Sequence, residues 1–186
     1  MKLLSALLAI SALFVVCETS ALSFPSVNPY VGADASFQIM NPKNKTALVK
    51  QDQYLPGANV YAGVKLNQYL GAEVGGVFQK SKKLSGSTFK TGSFHISAIG
   101  RLPVASDISL LGGVGLSHLK YTYTQTTNKT TVSKTVPRLM GGVEYTIVDN
   151  LNLRGTLIYQ HTSNIEVNGI HPNDSCFASF GLNYSF

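Results

Sequence analysis

Charge is scarce in this sequence. Only 13% of its 186 side chains are charged, against roughly 25% in an ordinary soluble domain. A surface so poor in charge needs a reason other than contact with water on every side. No stretch beyond the first two dozen residues reaches the ~18 consecutive apolar residues of a membrane-spanning helix, which excludes a helical membrane protein. Disorder is excluded as well, because 44% of the residues are hydrophobic and the net charge is modest at +6. Tryptophan is absent and cysteine occurs twice. The four histidines show no metal-ligand spacing, so neither a metal nor a cofactor is expected. The length suits one domain. A β-barrel in lipid is left open.

Met1 and Lys2, followed by the apolar run Leu3 to Val16, have the layout of a secretory signal peptide. Small residues allow cleavage after Ala21 or after Ser23, and Phe24 is taken as the mature start. Residues 1–23 are therefore a leader and 24–186 the functional domain. Val16 and Phe14 are too large for the pattern that precedes a lipidated cysteine, which argues against an anchor on Cys17. Loss of Lys2 and Glu18 leaves 14 of the 15 basic and 8 of the 9 acidic side chains, still a net +6. Cys176 alone remains, so an intrachain disulfide is excluded.

The mature chain alternates. From Tyr30 to Ile39 the apolar side chains Val31, Ala33, Ala35, Phe37 and Ile39 fall on odd positions, opposite Gly32, Asp34, Ser36 and Gln38. Val60, Ala62, Val64 and Leu66 repeat the pattern, then a short turn at 67–69 leads to Leu70, Ala72, Val74 and Phe78 opposite Glu73 and Gln79. A polar stretch from Lys80 to Gly92 reads as a long loop. Phe94 to Pro103 is a fourth strand with Ile99 as the apolar exception on the second face, and a turn follows at 105–107. Ile108 to Tyr123 is least regular, because Leu119, Tyr121 and Tyr123 sit on the parity opposite to Leu110, Val114 and Leu116; a bulge near Ser117 is expected to reconcile them. A Thr-rich loop over Lys120 to Thr135 is followed by strands at Arg138 to Tyr145, Leu151 to Gln160 and Ala178 to Phe186. Eight strands with long and short connections in alternation predict an all-β fold, an antiparallel up-and-down barrel.

Asp34, Lys65, Glu73, Arg101, Arg138, Glu144 and Arg154 share the face opposite the aliphatic one. That face is otherwise rich in glycine and serine, which suits a narrow interior. Aromatics on the apolar face gather toward strand ends, at Phe37, Phe78, Phe94, Tyr145, Tyr159, Tyr184 and Phe186, as membrane girdles do. The apolar face is therefore expected to meet lipid, making the barrel transmembrane.

The last residues carry a resemblance. Ser179 to Phe186, with Gly181, Tyr184 and the final Phe186, looks like the C-terminal signal read by the bacterial outer-membrane assembly machinery. With Gly141-Gly142-Val143-Glu144-Tyr145 and Asp149-Asn150-Leu151, the whole mature chain resembles the small OmpA-like outer-membrane barrels, the porin-family or surface-antigen proteins of Gram-negative bacteria. No peptidoglycan-binding domain follows, so a cell-wall tether is not implied. The resemblance implies a monomer-capable barrel of the bacterial outer membrane with a structural or surface-interaction role. It also implies a lumen network of Lys65, Glu73, Arg101, Arg138, Glu144 and Arg154. Eight strands leave a lumen that side chains fill, and buried charges must be paired.

Three of the expected loops sum to +9, with Lys80, Lys82, Lys83 and Lys90 in one of them. A basic rim of this kind attracts outer-membrane lipid, lipopolysaccharide phosphates and anionic host glycans, in the manner of an adhesin. Nucleic acid is not expected, since no aromatic-interleaved basic motif occurs. Gly112-Gly113-Val114-Gly115 has no following helix and reads as strand glycines rather than a phosphate loop. The Asn-x-Ser/Thr triplets at Asn44, Asn128 and Asn173 are idle in a bacterial envelope.

One alternative is enzymatic. His161-Thr162-Ser163-Asn164, with Pro172-Asn173-Asp174 downstream, is similar to the signature of the outer-membrane lipid A deacylases, which are eight-stranded barrels too. By that likeness His161 would be the base for Ser163, with Asn164 at the oxyanion. Those enzymes place a glutamate on the last strand, where this chain has Cys176 and Phe177. Asp174 is the substitute that outward parity offers.

Overall fold

The computed structural model describes residues 27–40, 54–84, 87–125, 128–162 and 174–186. The expected leader thus lies outside the described residues. Among the described residues alternation becomes nine strands: β1 (Asn28–Met40), β2 (Tyr54–Lys65), β3 (Leu70–Gln79), β4 (Lys82–Leu84), β5 (Ser87–Pro103), β6 (Ile108–Gln125), β7 (Asn128–Val148), β8 (Leu151–Gln160) and β9 (Ser175–Ser185). Every pairing is antiparallel. β3 and β4 share β5 as a neighbour and form one stave, and the β3–β5 pairing closes the sheet into the eight-stave barrel that the alternation predicts. Closure leaves no unpaired edge in lipid, where each lone backbone group would cost several kcal/mol.

Three turns, between β2 and β3, β5 and β6, and β7 and β8, lie at one end together with the start of β1 and the end of β9, and the two longest connections, from Met40 to Tyr54 and from Gln160 to Ser175, lie at the other. In the β2–β3 turn the Leu66 N–H donates to the Leu70 carbonyl at 2.9 Å, and Asn67 Oδ1 accepts from the N–H groups of Tyr69 and Leu70, both at 2.8 Å. That local bonding is why an asparagine suits the turn. At the same end Val104 N–H donates to Ile108 O at 2.9 Å, and Asp149 and Asn150 turn β7 into β8. Short turns face the periplasm in barrels of this kind, which makes the opposite end the outer one.

Strand length divides the barrel. Crossing the hydrocarbon at the usual tilt takes about 9–11 residues, yet β6 has 18 and β7 has 21. On this side the sheet stands well above the lipid. Two expectations are corrected here. Lys80 to Gly92 and Lys120 to Thr135 are mostly strand rather than loop: β4, the start of β5, the end of β6 and the start of β7 occupy them. Their threonines and serines satisfy strand geometry as well as loop solvation, so polarity alone was a poor guide.

The bulge near Ser117 is also absent. The β5–β6 and β6–β7 registers run unbroken through it, from Ile96↔Leu116 to Phe94↔His118 and from Leu116↔Pro137 to His118↔Thr135. Leu119 and Tyr121 keep their parity and point inward, fully buried at 1% and 0% exposure, while His118 and Lys120 point out. The apolar face switches sides because the outer medium changes from lipid to water. The register shift that does occur lies between Thr146 and Val148.

Candidate functional site: a charged lumen and an asymmetric outer rim

Inward parity puts the carboxylates and guanidinium groups in the lumen, where small cross-strand partners make room. Gly32 faces Tyr61 and Gly63 faces Tyr30 across the β1–β2 ladder. A Cβ at either glycine would stand within 2.3 Å or 2.4 Å of the opposing tyrosine ring, so each ring lies flat over a glycine. The rings in turn carry cations: the Arg154 guanidinium is 4.5 Å from the Tyr61 centroid and that of Arg101 5.0 Å from Tyr30.

Glu73 is the centre of the lumen. Arg154 donates to it through Nη1 at 2.6 Å and through Nη2 at 3.5 Å, the Tyr30 hydroxyl donates at 3.2 Å, and His95 Nε2 stands 3.5 Å away. A second centre is Glu144, which accepts from Asn183 at 2.9 Å and from Arg101 Nε at 3.4 Å. Asp34 accepts from Asn59 and Tyr61, both at 3.1 Å. Of the six lumen charges expected from the sequence, Glu73 with Arg154 and Glu144 with Arg101 form ion pairs. Arg138 and Lys65 make none among the described residues: Arg138 is buried, and the Lys65 ammonium lies 6.0 Å from the Tyr30 ring. Tyr30, Tyr61, His95 and Asn183 were not singled out in the sequence, although inward parity marks all four. Among these polar groups Ile99, Leu111, Met140, Ile158 and Phe177 form an apolar cluster with Val77, and Arg154 Nη2 lies 3.1 Å from the Met140 sulfur.

The outward face is aliphatic over most of its height, and Val114, Leu116, Leu139 and Leu157 are more than half exposed to the surroundings. Phe37, Phe78, Phe94, Tyr145, Tyr159, Tyr184 and Phe186 also point outward. Gly181 faces the lumen, where an added Cβ would meet the Ala33 carbonyl and Asp34.

At the outer end the two sides differ. On the β3–β7 side Lys80, Lys90 and Lys120 are exposed; Lys82 and Lys83 belong to β4. On the β8–β9 side His161 Nδ1 lies 2.9 Å from Asp174 Oδ1, which also accepts from the Thr162 N–H at 3.2 Å, and the Tyr159 hydroxyl donates to Asp174 Oδ2 at 2.5 Å. Donation from Tyr159 is the main reason that the Asp174 carboxyl is held below its ordinary value, with Thr162 and His161 adding to it. The sequence named His161 and Asp174; Tyr159 was missed as their partner. Ser163 and Asn164 lie outside the described residues.

A closed antiparallel barrel with an aliphatic wall, an aromatic fringe and a charged, hydrogen-bonded lumen defines a transmembrane β-barrel of the outer-membrane type. Residues 5–186 match the family model of the outer membrane protein beta-barrel domain, and the chain belongs to that family. Its place is the bacterial outer membrane. Neisserial surface protein A is similar in structure, with a TM-score of 0.72 at 21% identity over 87% of this chain and all of the other. Ail, the attachment invasion locus protein of Yersinia pestis, solved in complex with the heparin analogue sucrose octasulfate, aligns with a TM-score of 0.63 at 14% identity over 87% of this chain and all of Ail. The N-terminal β-barrel domain of Pseudomonas aeruginosa OprF aligns at 0.57 and 13% identity, covering 84% of this chain and 97% of the domain. No curated protein matches the chain in sequence.

Proposed function

We propose that the barrel is a non-enzymatic surface-attachment protein whose basic outer wall binds anionic glycans. The observation that carries this reading is the charge on the outer end. Among the described residues there, Lys80, Lys90 and Lys120 are exposed and positions 82, 83, 129 and 134 on the same strands are lysines as well, against one carboxylate, Asp174. Polyanions are drawn to such a field, and salt screens the attraction. The sulfated ligand held by Ail is of the same chemical class. In this reading the leader 1–23 is removed on export, Gly181, Tyr184 and Phe186 serve recognition by the assembly machinery, and the side-chain-filled lumen is structural. The mature barrel in phospholipid nanodiscs should bind immobilised heparin, release it as salt rises, and bind more weakly when Lys80, Lys82 and Lys83 are changed to glutamine. Absent or salt-independent binding would end the reading.

A second reading is favoured by the contact between His161 and Asp174. An acid on Nδ1 is what a histidine base needs in order to act on a serine, and Ser163 follows His161 by two residues. As a lipid A deacylase the barrel would release one hydroxyacyl chain from lipopolysaccharide, seen by mass spectrometry. Release that Ser163→Ala abolishes would replace the first reading, and no release would retire this one.

A further inference from the structure

A hollow of about 480 Å³ is sunk into the outside of the wall where β3, β5 and β6 leave the lipid. Its cause is a missing side chain. Gly92 points outward between Phe78 on β3 and Lys120 on β6, its pairing partners on either side. The nearest atom a Cβ there would meet is the Val77 carbonyl oxygen, at an ordinary 3.4 Å. Phe78 and Phe94 supply the apolar side of the hollow and Lys90 and Lys120 its cationic side, with His118 Nδ1 fixed 3.1 Å from Thr135 Oγ1 beside them. Lys90 pairs with Thr122, so Lys120 is its diagonal neighbour, about 7–8 Å away between backbones. That spacing lets two ammonium groups close on one phosphate. Among the described residues no acidic one lines the hollow.

One row below His118 the outward face is Leu116 and Ile96, both more than half exposed, with Val114 below them. The change from apolar to polar thus falls within two residues along β6, from Leu116 to His118, and the ammonium of Lys120 belongs four residues above Leu116, about 13 Å along the strand. A ligand that meets both levels must carry a phosphate above and hydrocarbon below. A soluble polyanion meets only the upper level, and a hydrocarbon chain only the lower one.

We infer that this hollow is a lateral binding site for one phosphorylated lipid of the outer leaflet, lipid A, with its phosphate between Lys90 and Lys120 and an acyl chain along Phe78 and Phe94. The site rests on the barrel's place in the outer membrane; it shares Lys90 and Lys120 with the basic surface proposed for glycans, and Gly92→Leu, which keeps every lysine, separates the two.

The test is native mass spectrometry of the barrel released from phosphatidylcholine nanodiscs doped with bisphosphorylated lipid A or with the same lipid after phosphatase treatment. One bisphosphorylated lipid A should stay bound, and the dephosphorylated lipid should be lost. The double variant Lys90→Gln with Lys120→Gln should weaken retention at least about tenfold, as two juxtaposed cations predict. Gly92→Leu keeps both charges and fills the hollow, and should weaken retention comparably while leaving heparin binding unchanged. A boiling-induced gel shift establishes that each variant is folded. Equal retention of the dephosphorylated lipid, retention untouched by both variants, displacement by inorganic phosphate, or a second barrel in place of the lipid would each overturn the inference.

Discussion

The lower and upper halves of β6 obey the same backbone rule with opposite chemistry. From Ile108 to Leu116 the outward positions are aliphatic apart from Gly112, and the inner neighbourhood holds Arg101, Arg138 and Glu144. From His118 to Thr122 the outward positions are polar, while Leu119 and Tyr121 are buried inside with Val136. Pleating fixes which side chains share a face. The medium outside decides which of the two faces is the oily one. A membrane barrel that rises out of its membrane therefore becomes, within a single strand and without a break in register, an ordinary water-soluble sheet with an apolar core.

That contrast can be broken most severely from the lumen of the lower half. Glu73→Gln removes the carboxylate that Arg154, Tyr30 and His95 share. It leaves a buried guanidinium uncompensated and should cost about 3–5 kcal/mol, read as a lower urea midpoint for the boiling-sensitive form in phospholipid vesicles. An equal midpoint would mean that water serves Arg154 as well as the carboxylate does.

The outward face sharpens the comparison next. Val114→Lys places a cation against lipid and should cost about 2–4 kcal/mol, whereas Thr122→Lys, eight residues along the same face of the same strand, should stay within about 0.5 kcal/mol. Equal costs measured in the same vesicles would show that the two halves share one medium.

The smallest effect is one of pH, at the rim. Asp174 has a depressed folded-state value, so its bonds to Tyr159, Thr162 and His161 contribute above the ordinary carboxylate range and are lost as pH falls through that depressed value. The Thr162 amide resonance should move in acid with an apparent midpoint below that of a free carboxyl, and Asp174→Asn should abolish the titration. A midpoint at the ordinary carboxylate value would disprove the Tyr159 bond.

Much of this was written in the alternation. The odd positions of β1, the inward Ile99 and the carboxylates at 34, 73 and 144 are all legible as a period of two. The upper half of β6 was misread for a physical reason: Leu119 and Tyr121 look like a phase error only if the apolar face must keep to one side. The stretches 80–92 and 120–135 were misread because a strand above the lipid carries the polar residues of a loop. Which charges meet was less legible still. Arg101, Arg138 and Arg154 are alike in parity and composition, yet among the described residues two of them find a carboxylate and Arg138 does not.

Sequence by itself determined the class, because period-two alternation, scarce charge and an aromatic fringe are properties of residues two apart and survive without knowledge of any distant contact. Only the tertiary structure decided the partners: the separations of 81 positions from Glu73 to Arg154 and of 13 from His161 to Asp174 are spanned by barrel closure and strand register. So is the hollow at Gly92, which exists because β3 and β6 flank a strand with no side chain at that row. Alternation is local; adjacency around a closed sheet is not.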